Sequence, residues 1–234
     1  MMNRFKDFFD ISKKSFKECL SKLNKSYLVV LFVFFNTLFE NSEIGFGLVS
    51  STIGGIIDYF IGLIITCFVI QTLRSVVIYG NSGKKSIDNS INNFFSPLIG
   101  AMFYVYLIKM FANLLLVNFP KEVNLLVYIL IQVALSSLFE QIYINGRTGL
   151  NAIVESANFV KNNLLTYGIY SLIFVLLEYI FGMYLKISMP LGTEKVIACL
   201  VVAIIDSFFC IFRGHLFKHL NKHSYRQRKF MRGY

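Results

Sequence analysis

The chain has 234 residues, of which 56% are hydrophobic and 15% are charged, and its formal net charge is +10. A soluble domain has about 45–50% apolar and about 25% charged residues. These proportions therefore exclude an ordinary water-soluble domain and predict one membrane domain. The first residues lack a continuous apolar core followed by a cleavage site, so we expect no cleaved signal peptide.

The first 25 residues predict an amphipathic helix in the lipid headgroup plane, because phenylalanines and leucines recur at helical spacing with most lysines between them. Six apolar runs follow, each near the about 20 residues that cross the hydrocarbon core. They lie at 24–39, 53–73, 97–118, 123–143, 164–185 and 194–212. The first is short and needs a snorkelling Lys25 to cross. We expect an all-α polytopic membrane protein with six transmembrane helices.

The predicted organisation is an amphipathic basic helix over 1–25, a six-span membrane domain over 26–213 and a basic tail over 214–234. The charge pattern also predicts orientation, since most lysines and arginines fall in the two termini and the loops after spans two and four. The exceptions among the 23 are Lys109, Lys121, Lys186 and Lys195. The positive-inside rule then places both termini of a multi-pass cell-membrane protein in the cytoplasm.

Partners follow from the same pattern. The basic termini suit membrane lipids with anionic headgroups. The positive charge is divided among membrane-flanking segments instead of being gathered on a folded domain, so we do not expect a nucleic-acid partner. The cytoplasmic surface helices are candidate docking elements for a partner subunit such as an ATPase.

An internal repeat with a period of 66 residues organises the predicted spans. Gly80, Gly83 and Ser90 align with Gly146, Gly149 and Ser156. Each copy follows one span and precedes the next, and each predicts a glycine turn, an amphipathic surface helix and two spans. The N-terminal helix is a candidate third copy. Parallel repetition of this unit would build the whole membrane domain.

The stretch 139–163 has a glycine, then Ala-Ile-x-x-Ser at 152–156, then a basic and asparagine-rich turn into a span. It resembles a box in six-span bacterial membrane proteins similar to the membrane domain of glycerophosphodiester phosphodiesterases and its uncharacterised stand-alone relatives. The resemblance is strongest over 139–180 and fainter over 74–118. It implies a membrane module. It carries over no activity and no catalytic residue, because the hydrolase domain of the fused enzymes is absent from this sequence.

Four charged residues fall inside predicted spans, where each uncompensated charge costs about 2.5–3.5 kcal/mol. They are Asp58, Lys109, Glu178 and Asp206. Each is expected to face the bundle interior, water or a partner. Lys109, Glu178 and Asp206 have comparable predicted depths. They could form a structural ion pair between Lys109 and one of the acids, or a path for protons or substrate. Misplaced span edges and protonated acids are the remaining alternatives.

Two further patterns near span ends suggest side-chain pairs or clusters. Arg74 and Glu140 occupy equivalent repeat positions, which predicts a salt bridge between repeats. His215, His219 and His223 recur every four residues and are a weak metal-site candidate, since they are interleaved with basic residues suited to anionic headgroups. We therefore predict no metal site, and we expect the four cysteines to be reduced structural residues.

Nucleophile, zinc, phosphate-loop and dinucleotide motifs are absent from the sequence, so we expect neither an enzyme nor a cofactor. The leading hypothesis is a non-enzymatic membrane protein that binds lipid or a small hydrophobic molecule, or that serves as a scaffold or membrane subunit of a transport or envelope complex. One alternative is a secondary transporter or channel that uses Lys109, Glu178 and Asp206. Another is an immunity protein against a membrane-active peptide.

Overall fold

The structure of the chain is a computed structural model that describes residues 2–41, 51–187, 192–222 and 227. All elements in these segments are helical, which confirms the predicted all-α class. The described residues form the α-helices α1 (Met2–Lys22), α2 (Tyr27–Asn41), α3 (Ser51–Arg74), α4 (Ser90–Leu116), α5 (Lys121–Ala134), α6 (Leu138–Tyr143), α7 (Gly149–Asn162), α8 (Ile169–Ile187) and α9 (Thr193–Lys222). Short 3₁₀ or π-helical segments join several of them, at Leu23–Lys25, Ser75–Tyr79, Lys84–Asn89 and Leu164–Gly168.

Five helical segments of the described chain are long and apolar enough to cross a membrane, which supports a multi-pass membrane protein. They are Gly54–Tyr79, Lys84–Leu116, Lys121–Tyr143, Leu164–Lys186 and Thr193–Lys222. A sixth span is possible if α1 and α2, which meet at 88°, are counted together. The 15 residues of α2 alone rise about 22 Å, less than the about 30 Å of a hydrocarbon core. The count of six spans therefore stays a prediction.

The C-terminal ends of α1 and α9 lie on one side of the helical bundle, which we call the terminal side. Lys25 Nζ after α1 donates a hydrogen bond to the carbonyl oxygen of Gly80, at 2.8 Å. Asn221 Nδ2 at the end of α9 donates to Asn145 Oδ1 after α6, also at 2.8 Å. These contacts bring α1, the turns after α3 and α6, and the end of α9 together. The opposite, far side carries the ends of α2 and α8.

The surface helix α1 has three faces, as its 100° turn per residue allows. The first packs on α9 and includes the buried residues Asp7, Ile11, Ser15 and Cys19. The second is apolar and exposed, with Phe9, Phe16, Leu20 and Leu23. The third carries the exposed Lys6, Lys13 and Lys17. An exposed apolar face beside a row of lysines is the pattern of a helix in the membrane interface.

Two glycine turns on the terminal side need left-handed backbone. Gly80 and Gly83 have φ values of 66° and 78°, and Gly146 and Gly149 have 65° and 52°. Such conformations favour glycine and commonly end helices. The segments after the turns differ. The six residues Lys84–Asn89 form a 3₁₀ segment that runs straight into α4, whereas Gly149 begins the separate 14-residue helix α7.

The terminal half of α9 is deeply buried in the core. Leu216 and Phe217 are fully buried, and the Phe217 ring lies 4.3 Å from that of Phe159, centroid to centroid. Gly214 permits this packing, because a Cβ atom there would meet Tyr143 Oη and would lie 2.9 Å from a methyl group of Val77. The core is therefore closely packed on the terminal side.

Candidate functional site

A partly open cavity of about 700 Å³ lies between the helices of the bundle. Its lining extends from Asn41 and Lys186, at the far-side ends of α2 and α8, to Arg213 on α9. The apolar part of its wall includes Val33, Val69, Met102, Phe174, Phe181 and Val202. The volume falls within the about 300–1,000 Å³ of small-molecule sites, which combine apolar walls with a few polar groups.

Three of the four charged residues predicted inside spans line this one cavity. Lys109 comes from α4, Glu178 from α8 and Asp206 from α9. The fourth, Asp58 on α3, is not part of the lining. Further charged side chains join the three from the ends of the lining, namely Glu40, Lys186 and Arg213. The cavity therefore collects acids and bases from helices that are distant in sequence.

One face of α9 supplies the deep wall of the cavity. Val202, Asp206, Cys210 and Arg213 follow one another at intervals of three or four residues and all line it. Asp206 and Arg213 are seven residues apart, which corresponds to about 10.5 Å along the helix axis. Glu178 faces this stripe from α8 and interacts electrostatically with both of them.

The cavity charges are not paired with one another. Among the described residues, no ion pair within 4.0 Å involves Lys109, Glu178 or Asp206. The Lys109 ammonium instead lies 5.4 Å from the centroid of the Tyr128 ring, at cation–π distance. Asp206 Oδ1 is buried without a hydrogen-bond partner in the described part of the chain. Within the described segments, Lys109 therefore forms no ion pair with an acid.

Glu140 is paired with Arg213 and not with Arg74, which corrects the predicted bridge between repeats. Arg213 Nε donates to Glu140 Oε1 at 3.0 Å, and the two residues are 8% and 2% exposed. Arg213 lines the cavity, whereas Glu140 lies outside the lining. Arg74 points elsewhere, with its guanidinium carbon 5.8 Å from the ring centroids of both Tyr79 and Phe94. The cause is that α9 brings Arg213 beside α6.

The histidines of α9 contact an acid of α1. His215 Nδ1 and His219 Nε2 each lie 3.1 Å from one carboxylate oxygen of Glu18. His223, the third residue of the candidate metal cluster, lies outside the described residues. Within the described segments, no group of three or more histidine, cysteine, aspartate or glutamate side chains could hold a metal ion. His215 and His219 thus contact Glu18 across the interface between α1 and α9.

Glu40 and Arg213 are the site residues that sequence reasoning missed. Glu40 follows the predicted first span by one residue, and Arg213 follows the predicted last span by one residue, so the sequence places both outside the spans. The structure extends α2 to Asn41 and α9 to Lys222. Asn36 Nδ2 donates to Glu40 Oε1 at 2.9 Å. The asparagine one turn before this acid, in an otherwise apolar run, is the sequence signal that the helix continues to Glu40.

Comparison with protein-family models matched none to this chain, and comparisons with curated proteins and with solved structures found no significant match. The resemblance to the membrane domain of glycerophosphodiester phosphodiesterases therefore stays a prediction.

Proposed function

We propose that the protein is a non-enzymatic multi-pass membrane protein that binds a small molecule in the cavity between its helices. The observation that carries this proposal is the cavity of about 700 Å³ that gathers acids and bases from α2, α4, α8 and α9. Most of its wall is apolar, so a ligand with an apolar part and one or more charged groups would fit it.

The unpaired charges favour ligand binding over a purely structural scaffold. Each charge within the hydrocarbon costs about 2.5–3.5 kcal/mol unless it is compensated. Lys109, Glu178 and Asp206 have no ion-pair partner within the described residues, so they contribute little to holding the helices together. Intramembrane ionisable residues that face a cavity are typical of substrate or ion sites.

We also propose the finer architecture that the sequence predicts, with repeats of period 66 and a cytoplasmic terminal side. Support for the repeat comes from the four left-handed glycines, since Gly80 and Gly83 are each 66 residues before Gly146 and Gly149. Support for the orientation comes from the lysines of α1 and of the end of α9, which lie on the terminal side.

A cavity-filling substitution tests the binding function. Gly182 lines the cavity, and a Cβ atom added there meets no atom within 4 Å. The Gly182→Phe variant should therefore fold, should fill part of the cavity, and should lose a molecule that co-purifies with the wild-type protein in mild detergent. Native mass spectrometry of the purified protein gives the readout.

Gly55→Phe is the matched control. Gly55 also lies in a membrane helix with open space around its Cβ position, and it is outside the cavity lining. Both variants replace a helical glycine, so both gain helix propensity. We expect Gly55→Phe to retain the bound molecule. Equal retention by Gly182→Phe, or a wild-type protein that carries no bound molecule, would contradict the proposal.

A secondary transporter is the second candidate, favoured by the carboxylates of Glu178 and Asp206 that lack ion-pair partners in the described chain. Such acids are typical of proton-coupled sites. In proteoliposomes with a trapped pH-sensitive dye, Glu178→Gln and Asp206→Asn should each abolish proton flux, while Asp58→Asn should not. Absence of flux in the wild-type protein would leave binding as the favoured function.

A further inference from the structure

Arg213 presents unused hydrogen-bond donors to the deep end of the cavity. Its side chain lines the cavity and the residue is 8% exposed. Its Nε donates to Glu140, and within the described chain its terminal nitrogens form no hydrogen bond. A guanidinium has five N–H donors in a planar fork, so four remain for a ligand. The Phe174 ring, with its centroid 4.9 Å from the guanidinium carbon, packs against this group.

Acids occupy the neighbouring level of the same cavity. Asp206 lies two turns from Arg213 on the same face of α9, and its Oδ1 is buried with no hydrogen-bond partner among the described residues. Glu178 faces both from α8 and interacts electrostatically with Asp206 as well as with Arg213. The carboxylates of Asp206 and Glu178, on two helices that line the same cavity, can accept hydrogen bonds from an ammonium group, which offers up to three donors.

A ligand with a single sign of charge fits this arrangement poorly. An anion at Arg213 would be repelled by the two acids, and Glu140 already offsets the positive charge of Arg213. A cation at the acids would be repelled by Lys109, which also interacts with Glu178. A ligand with one negative and one positive group would be attracted both by Arg213 and by the two acids.

We infer that the ligand is a zwitterion with an apolar part, whose carboxylate or phosphate binds the terminal nitrogens of Arg213 and whose ammonium group lies between Asp206 and Glu178. This inference rests on the proposed binding function. Zwitterionic lipids and free amphipathic amino acids share the required chemistry, and charge-assisted hydrogen bonds at both ends would provide the specificity.

Matched ligand pairs test for the ammonium group. Delipidated wild-type protein is titrated by native mass spectrometry with phosphatidylethanolamine against phosphatidylglycerol, and with leucine against N-acetylleucine, which lacks the ammonium. The zwitterion should bind about tenfold more tightly than its partner in one of the pairs, as expected for one charged hydrogen bond. The pair in which the zwitterion binds more tightly shows whether the ligand is a lipid or a free amino acid. Equal binding within both pairs would overturn the inference.

Variants then test which residues bind the two charged groups of the ligand. Asp206→Asn should reduce the preference to about one, whereas Asp58→Asn, outside the cavity lining, should leave it unchanged. The double variant Arg213→Gln with Glu140→Gln removes both members of the buried pair, so no uncompensated charge remains. It should weaken binding of the zwitterion about tenfold. An unchanged preference in Asp206→Asn, or unchanged affinity in the double variant, would overturn the inference.

The two proposals fail in different ways. If Gly182→Phe binds the preferred zwitterion as tightly as the wild-type protein does, the cavity is not the binding site and the proposed function fails. If Gly182→Phe abolishes binding while both members of each pair bind equally to the wild-type protein, the binding function holds and the zwitterion is excluded.

Discussion

Substitution of Arg213 should destabilise the protein far more than substitution of Arg74. Arg213→Gln leaves the carboxylate of Glu140, which is 2% exposed, without its cation. Removing one partner of a buried pair costs about 3–5 kcal/mol. Since 1 kcal/mol shifts the unfolding temperature by about 2–4 °C in a chain of this size, the expected loss is about 6–20 °C.

Arg74→Gln is the control, because it removes an arginine whose contacts are the rings of Tyr79 and Phe94. Each cation–π contact is worth about 0.5–1 kcal/mol, so the expected loss is about 2–8 °C. The assay follows the reaction of a thiol-specific dye during heating, since Cys19, Cys67 and Cys199 are buried free thiols. The double variant Arg213→Gln with Glu140→Gln should recover most of the loss. Equal losses in the two single variants, or no recovery in the double variant, would refute the reasoning.

Two further predictions concern packing. Gly214→Ala should lower stability by about 1–3 kcal/mol, because its methyl group would contact Tyr143 and Val77; the same dye assay should show no loss for Gly182→Ala. Glu18→Gln should speed amide hydrogen exchange throughout Met2–Lys22, because it removes the carboxylate that contacts both histidines of α9. Substitution of an exposed lysine of α1 should leave that exchange unchanged, and equal effects would argue against the contact.

The spans were predictable because lipid imposes a simple pattern on sequence. A helix in hydrocarbon must satisfy its own backbone hydrogen bonds and present apolar side chains, so long apolar runs identify it. The predicted spans at 123–143, 164–185 and 194–212 lie inside the helical segments Lys121–Tyr143, Leu164–Lys186 and Thr193–Lys222. The first apolar run is shorter than the other five. The corresponding helix α2 is too short to cross alone and meets α1 at a bend of 88°.

The partners of the charged residues were less predictable, because pairing depends on how helices pack. Repeat symmetry placed Arg74 opposite Glu140, yet nothing in the repeat specifies that α9 brings Arg213 to that carboxylate. Glu40 shows the complementary difficulty. A charged residue that immediately follows an apolar run is the usual sign of a span's end, and only the continuation of α2 to Asn41 places this acid in the cavity wall.

The position of the Glu140–Arg213 pair favours a ligand-binding function over ion conduction. On its terminal side the core is packed with Val77, Tyr143 and Phe217, which are 0%, 3% and 0% exposed. A conducting path that left the cavity beside Arg213 would have to pass both this packing and the pair, whose disruption leaves a buried charge at a cost of about 3–5 kcal/mol. A channel would need this end to open readily, whereas a binding site gains from a rigid floor that holds Arg213 in place. A transporter can pass such a barrier only if substrate binding offsets the cost. The pair therefore favours a ligand that engages Arg213 itself, and it counts against a simple channel.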